Sequence, residues 1–333
     1  MQINRKLPEN FQEVHLPYFS HALEITLPET GCQSFNNYFI LFKNGILMTP
    51  LKIEKQSLLY DKRLKETGLK YSFLKFILKS LIKNKIGLLK QRREYVTIIN
   101  EWTNSYFHWC SEALPKLMVA ISNGYKPVVL LPEIYNSSFQ RRSLELLNVE
   151  YQYFSANILV GKGIILPGRL APYPAPYNPI VMKNLISLLK LPVENKLNKG
   201  KRIYVSRQSA GKRKVNNEEQ VVELLRKFEF CILETENFDL AEQISIMHHV
   251  EIFISIHGAG LTNIMFCKPG TKVLELSLQN QAHDKCYFTL ANEMNLSYYY
   301  QFCKSVDSKE DYHSSDLVVD MQELNSNLLK LIN

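Results

Sequence analysis

Apolar positions recur along this chain with two periods, and the change from one to the other marks its elements. Between 36 and 60, short apolar runs flank a turn: YFILF, then Asn44-Gly45, then ILM, the signature of a hairpin. YVTIIN (95–100) and PVVLL (127–131) read as strands, and between them the helical period predicts a helix over 105–122. Pro115 inside that pattern predicts a kink or a fresh helix start. A helix near 138–148, two strand-like stretches (YQYF and NILVGKGIIL) and a helix reaching about Lys190 follow. The tract PGRLAPYPAPYNP (167–179) holds five of the fourteen prolines, which excludes a regular helix or an inner strand.

Beyond the polar stretch PVENKLNKGK (192–201), which reads as a linker, the alternation becomes regular. Strands at 202–207, 231–235, 252–256 and 272–277 are separated by helices at 218–228, 240–250 and 261–266. That order predicts an α/β fold with a parallel sheet covered on both faces, and ligands outside the carboxyl ends of its strands. The expected division is 1–191 and 192–333.

Composition narrows the class. The 333 residues are 46% hydrophobic and 22% charged, enough for a sizeable core and outside the range of disordered, collagenous or coiled-coil chains. No apolar run approaches the ~18 residues of a membrane span, and the start, MQINRKLPENF, is too polar for a secretory leader. Six cysteines are scattered without a CxxC, as buried thiols in a reducing compartment would be. A soluble, cytoplasmic protein is the expectation.

The net charge of +8 is local. Residues 62–93 carry eleven Lys or Arg against Glu66 alone, a charge of +10 that leaves −2 for the remainder. On a helix, Lys75, Lys79, Lys83 and Lys90 share one face, with Leu69, Phe73, Leu74, Ile77, Leu78 and Leu81 largely opposite. Such a helix suits an anionic membrane surface, or packs its apolar face on a sheet with its lysines solvated. No recognition motif accompanies the charge, so nucleic acid is not an expected partner.

Three segments carry candidate chemistry. In ISIHGAGLTNIMFCKPG (254–270) a strand turns at once into a helix. Gly258 and Gly260 permit close backbone approach, the helix start offers N–H groups to an anion such as a diphosphate, and His257 at the strand tip can donate to the same anion. The segment lacks the GxGxxG of dinucleotide sites, which counts against a dehydrogenase. In YVSRQSAGKRKVNNEE (204–219), Arg207 and Arg213 can clamp phosphate oxygens, while Asn217 suits an N-cap and Glu218 a first helical turn. In NSYFHWCSEALPKLM (104–118), His108 and Glu112 lie four apart on one helix face, as an acid/base pair, half a metal site or a satisfied core histidine.

Together these segments resemble glycosyltransferase family 61. The matching pieces are Asn104, His108-Trp109, Glu112, Leu114-Pro115 and Leu117, then YVSR with Arg213 and Asn217-Glu218, then HGAGLTN (257–263), KPGT (268–271) and LEL (274–276). They cover about 100–277 in order. The resemblance implies a GT-B architecture, two Rossmann-like domains facing across a cleft. The first (1–191) is then the acceptor side and the second (192–333) the nucleotide-sugar side, with the last helix a candidate to pack back on the first. It implies an inverting transfer without an obligate metal or other cofactor, and no Asp-x-Asp motif occurs in the chain.

Under that resemblance Arg207, Arg213 and the turn of His257, Gly258, Ala259, Gly260 and Leu261 hold the donor diphosphate, with Asn263 and Thr262 lining or supporting the turn. Glu275 is assigned to the ribose hydroxyls, with Glu218 a further donor contact. The general base is His108 or Glu112. The expected partners are a nucleotide-sugar and a glycan or lipid-linked glycan acceptor, in bacterial capsule or lipopolysaccharide assembly on the inner face of the cytoplasmic membrane. Two rival readings are a metal-dependent hydrolase using His108, Glu112 and the His248-His249 pair, and a non-catalytic nucleotide- or membrane-binding scaffold.

Overall fold

The computed structural model describes residues 1–43, 45–48, 53–54, 78, 81–82, 86–89, 93–100, 102–168, 170, 177–189, 199–278, 285–306 and 314–333. The chain forms two compact units: Met1–Leu27 with Ala175–Ile186 and Lys190–Asn333, and Pro28–Pro174 with Ser187–Leu189. This differs from a single cut at 191/192, because the N-terminal residues are built into the C-terminal unit. Strands β1 (Gln2–Asn4) and β2 (Glu24–Thr26) pair with each other, and helix α1 (Leu16–Leu23) lies between them in sequence. Phe19 on α1 packs on Phe288 and Tyr300 at ring-centroid distances of 4.9 and 5.0 Å. Arg5 forms a buried ion pair with Glu293 at 2.7 Å.

The Pro28–Pro174 unit contains β3 (Cys32–Phe42), β4 (Leu47–Met48), β5 (Ile53–Glu54), β6 (Ile86–Leu88), β7 (Tyr95–Val96), β8 (Val128–Pro132), β9 (Tyr151–Phe154) and β10 (Ile158–Pro167). They form one mixed sheet in the order β5-β4-β3-β10-β7-β8-β9, with β6 beside β10. The hairpin forms as the Asn-Gly signal predicts: β3 and β4 pair antiparallel, and Gly45 sits at φ 80° with Asn100 backbone too close for a side chain. Strands β6, β7, β8, β9 and β10 supply the parallel part, and β8 is buried along its whole length. An apolar run covered on both faces is what a parallel strand requires.

Between β7 and β8 the helix of 105–122 forms in three pieces. A single α turn (Tyr106–His108) runs into a π-helical turn (Trp109–Ala113) and then into α2 (Leu114–Ser122). Pro115 explains the middle piece: its ring has no N–H and crowds the carbonyl four residues back. The wider turn accommodates this, with Leu114 N–H donating to Trp109 five residues back. Helix α3 (Ser138–Leu146) links β8 to β9, and α4 (Pro179–Leu188) follows β10.

The C-terminal unit alternates as its sequence predicts. Its elements are β11 (Arg202–Val205), α5 (Glu218–Lys227), β12 (Cys231–Leu233), α6 (Leu240–Met247), β13 (Ile252–Ile256), a 3-10 helix (Ala259–Phe266), β14 (Lys272–Leu278), α7 (Cys286–Glu293), β15 (Ser297–Ser305), β16 (Leu317–Val318) and α8 (Met321–Ile332). The sheet order is β12-β11-β13-β14-β15-β16, parallel through β15, with β16 antiparallel. Helices α5 and α8 close one face, where Val221, Leu225, Leu324 and Leu328 pack with Ile254 and Leu274. The apolar stripe of the last helix at 324, 328 and 331 belongs to this core, and its Asn327 Oδ1 accepts from Asn10 Nδ2 at 3.2 Å, so the helix also meets the N-terminal residues.

The strand order reverses between β11 and β13. Crevices at such switch points, outside the carboxyl ends of the strands, are where parallel α/β sheets bind ligands. Most of the basic segment, including Lys75, Lys79, Lys83 and Lys90, lies outside the described residues, as do most of the proline tract and residues 192–198 of the linker. Among the described residues no helix is long and apolar enough to cross a membrane.

Candidate functional site

Two constellations stand at the carboxyl ends of parallel strands, one in each unit. In the C-terminal unit β11 leads into Arg207 and β13 into His257-Gly258, the two tips that flank the switch point. The Arg207 guanidinium lies on the Gly258 backbone. A Cβ at 258 would meet its Nη1 at 3.0 Å and its Cζ at 3.2 Å, so glycine here makes room for the arginine. Gly260 has a packing reason too, since a Cβ there would meet Val205 Cγ1 at 3.1 Å.

Two arginines meet at this corner, and the Glu236 charge offsets them only in part. Burial lowers the Arg207 pKa from its ordinary value, and the nearby Arg213 charge lowers it further. The buried Nε atoms of both arginines have no hydrogen-bond partner among the described residues. Arg213 also holds a left-handed backbone at φ 56°, a conformation that costs a non-glycine residue about 1–3 kcal/mol. Two adjacent guanidiniums with buried unused donors form a site for an anion. The 3-10 helix opens at Ala259 beside them, adding the first N–H groups of a helix start.

His257 is held from behind. Its Nδ1 meets Glu275 Oε1 at 2.5 Å, and Tyr298 O–H donates to Glu275 Oε2 at 2.6 Å. Burial and the Glu275 charge push the Tyr298 hydroxyl well above its usual pKa, so it remains a donor. The Tyr287 ring packs edge-on to His257 at 5.0 Å. Both Glu275 oxygens thus have protein partners and the residue is buried, an arrangement that orients His257 rather than reaching toward a ribose.

Other candidates of this half have structural partners. Glu218 is buried with Oε1 accepting from Tyr204 O–H at 2.8 Å, in the core under α5. Asn263 is buried and donates to Gln243 Oε1 on α6 at 2.9 Å, and Leu261 is a core residue. Asn217 occupies the expected N-cap position, but its side chain exchanges two hydrogen bonds with the Val319 backbone instead of capping α5.

In the Pro28–Pro174 unit the i, i+4 spacing brings His108 and Glu112 together, with Nδ1 and Oε1 at 2.6 Å. Asn100 Nδ2 donates to the other carboxylate oxygen at 2.9 Å. Burial pushes the Glu112 carboxyl up, but the hydrogen bond and charge of His108, the Asn100 amide and Lys116 outweigh it and hold the pKa below the ordinary value. An ionised Glu112 fixes a proton on His108 Nδ1, which makes Nε2 the basic edge of the ring. Asn100 is itself locked: its Oδ1 accepts from the Trp102 and Thr103 N–H groups at 2.8 and 3.0 Å, and its carbonyl accepts from Tyr135 O–H at 2.6 Å. Trp109 is core, its indole N–H donating to Ser143 at 2.8 Å.

The sequence signals missed Asn100, Tyr287 and Tyr298. Asn100 is readable in retrospect from Asn-x-Trp-Thr after a strand, a pattern that favours an Asx turn. Tyr298 is 23 residues beyond Glu275 on the neighbouring strand, so only sheet pairing brings the two together. Among the described residues no group of three His, Cys, Asp or Glu side chains is placed to hold a metal ion, which leaves the hydrolase reading without a donor set there.

The family model described as Glycosyltransferase 61 matches residues 106–274, half of the chain, a span that includes His108, Glu112, Arg207, Arg213 and His257. Among curated proteins the chain is similar to the EGF domain-specific O-linked N-acetylglucosamine transferase of Mus musculus, 31% identical over 102 residues, 29% of this chain and 19% of that protein. The Bos taurus protein of the same name is 32% identical over the same extent, and that of Xenopus laevis 42% over 57 residues, 17% of this chain and 10% of that protein. The match spans about a fifth of the mammalian relatives' length.

Proposed function

This chain belongs to glycosyltransferase family 61, and from that premise we propose that it transfers a sugar, with inversion, from a nucleotide-sugar donor to a glycan hydroxyl. The observation that carries the donor half of the reading is the Arg207–Arg213 pair, with its buried unused Nε atoms, against Gly258 at the switch point. The two guanidiniums, the N–H groups of Ala259 and Gly260, and His257 hold the diphosphate and stabilise the charge that develops on it as the glycosidic C–O bond breaks. Glu275 and Tyr298 are positioning residues for His257.

The acceptor half rests on the His108–Glu112 pair. The acceptor oxygen attacks the anomeric carbon as its proton passes to His108 Nε2, and the nucleoside diphosphate departs with the bonding pair. Glu112 orients the imidazole and stabilises the imidazolium that forms, and Asn100 holds Glu112. Charge neutralisation by arginines and helix N–H groups assigns no obligatory role to a metal. The GT-B reading is supported by each unit having its own sheet with parallel strands, and by each candidate residue set lying at strand carboxyl ends.

The cellular setting we infer is bacterial capsule or lipopolysaccharide assembly at the inner face of the cytoplasmic membrane, on a lipid-linked glycan acceptor. The +10 segment at 62–93 is its support, together with the exposed Leu78, Leu81 and Ile82 within that segment. Co-sedimentation with anionic vesicles tests it: binding lost when the four face lysines become glutamine is expected, and charge-independent or absent binding overturns it.

The central test is a thermal-shift titration with UDP, GDP and CMP, each in EDTA, on wild type and Arg207→Met. Stabilisation of wild type by at least one nucleotide, absent in the variant, is expected. No stabilisation by any of the three, or stabilisation surviving in Arg207→Met, refutes the donor site.

A further inference from the structure

We propose that the indole of Trp102 is the platform on which the acceptor's sugar ring stacks, an inference that rests on the transferase reading and gives its acceptor a binding residue. The chain has two tryptophans. Trp109 is fully buried, whereas Trp102 is 42% exposed and its ring centroid lies 6.1 Å from that of His108, at an interplanar angle of 39°. A large aromatic surface left in solvent beside the His108 imidazole is unused by the core.

Exposure alone is ordinary for a scattered apolar residue. What distinguishes Trp102 is how firmly its backbone is held. Its N–H donates to Asn100 Oδ1 at 2.8 Å, and its carbonyl accepts from the Ser105 N–H and the Ser105 hydroxyl, each at 3.1 Å. The same Asn100 side chain donates to Glu112 Oε2. One amide therefore fixes both the carboxylate that orients His108 and the backbone that carries the indole. Two groups registered to one another through a single residue, one a proton acceptor and the other an exposed aromatic, serve a ligand that has a hydroxyl to deprotonate and an apolar face to cover.

A pyranose is that ligand. Its axial C–H groups form an apolar face suited to an aromatic ring, while its equatorial hydroxyls point outward from the edge of the stack. Tryptophan offers the largest such surface and loses little side-chain freedom on binding, provided its backbone is already fixed.

The test uses Trp102 as its own reporter, since Trp109 is shielded. Acrylamide quenching of tryptophan emission is measured on the full chain with methyl β-galactopyranoside, methyl β-N-acetylglucosaminide, methyl α-mannopyranoside and methyl α-rhamnopyranoside. At least one should protect the exposed indole. Saturation-transfer NMR on the protecting glycoside should then show the strongest transfer to its axial protons. Trp102→Ala should weaken that glycoside by about tenfold, while Trp102→Phe retains most of the affinity and the same proton pattern. If no glycoside protects, if Trp102→Ala binds like wild type, or if Trp102→Phe fares no better than Ala, the platform is overturned. Nucleotide melting shifts on the same samples separate the two readings. Shifts without glycoside protection sink the platform alone, and absence of both sinks the transferase reading with it.

Discussion

In the Pro28–Pro174 unit Glu112 divides its oxygens between His108 and Asn100, and in the C-terminal unit Glu275 divides its oxygens between His257 and Tyr298. The two pairs share a chemistry and a location, a histidine oriented through Nδ1 beyond the carboxyl end of a parallel strand. Their surroundings differ. His108 and Glu112 keep 21% and 15% of their side-chain surface, His257 and Glu275 only 6% and 3%. Beside the first is an exposed indole, and beside the second a pair of guanidiniums. A pair that substrate can reach, next to an apolar platform, suits proton exchange with a hydroxyl. A pair sealed in the sheet, next to cations, suits a fixed polar contact to an anion. On the proposed reading one side-chain motif serves two tasks, decided by burial and neighbours.

Swapping the roles by mutation would break this comparison outright. His108→Ala is expected to lower turnover by about a thousandfold, within the range of general-base contributions, with nucleotide-induced stabilisation intact. His257→Ala should instead weaken the nucleotide. Turnover and melting shifts on both variants check this, and a turnover loss at 257 with undisturbed nucleotide binding would reverse the assignment.

Next in size is the guanidinium pair. A nucleotide at a hundred times its Kd adds about 2.7 kcal/mol to wild type, and Arg207→Met should forfeit that gain. Without nucleotide the variant should be as stable as wild type or more so, because it removes a like charge from beside Arg213. Denaturation of the ligand-free proteins measures this. A clear loss of ligand-free stability would mean that Arg207 serves the fold before it serves a ligand.

Much of this was legible in the residues. The regular alternation after 202 predicts the parallel sheet, and IFISI followed by HGAG predicts a strand tip that meets a helix start. The i, i+4 spacing predicts the His108–Glu112 contact. What escaped reading depends on contacts distant in sequence. Nothing local in 1–27 says that Phe19 will pack on Phe288, or that Arg5 will pair with Glu293. Glu275 is assigned to a ribose by resemblance, and only the next strand shows Tyr298 beside it. Gly258 and Gly260 read as room for a ligand, and the structure adds a packing reason for each, since a Cβ there would meet Arg207 or Val205.

The sealed pair also carries a stability cost that the reachable one does not. Tyr298→Phe leaves a buried Glu275 oxygen without its donor, a defect worth about 1–3 kcal/mol. Chemical denaturation should register it, and turnover should fall only as far as nucleotide affinity does. A Tyr298→Phe protein with wild-type stability would mean that the hydroxyl does not hold Glu275.

The finest distinction concerns pH. Glu112 has a folded pKa below its ordinary value of 4.5, so its stabilising contribution is complete above that value and is lost as pH falls through the lowered one. Asn100→Asp keeps an acceptor for the Trp102 and Thr103 N–H groups but removes the amide donor and adds a like charge, both of which raise the Glu112 pKa. Near neutrality the variant should work almost normally, because Glu112 is still ionised there. Its acid limb should move to higher pH, since a protonated Glu112 no longer stabilises the imidazolium on His108, and acid unfolding should begin at higher pH for the same reason. Tyr298→Phe should leave that limb in place, because the proposal gives His257 no proton to exchange with the acceptor. A limb that follows Tyr298→Phe and ignores Asn100→Asp would make the sealed pair the working one.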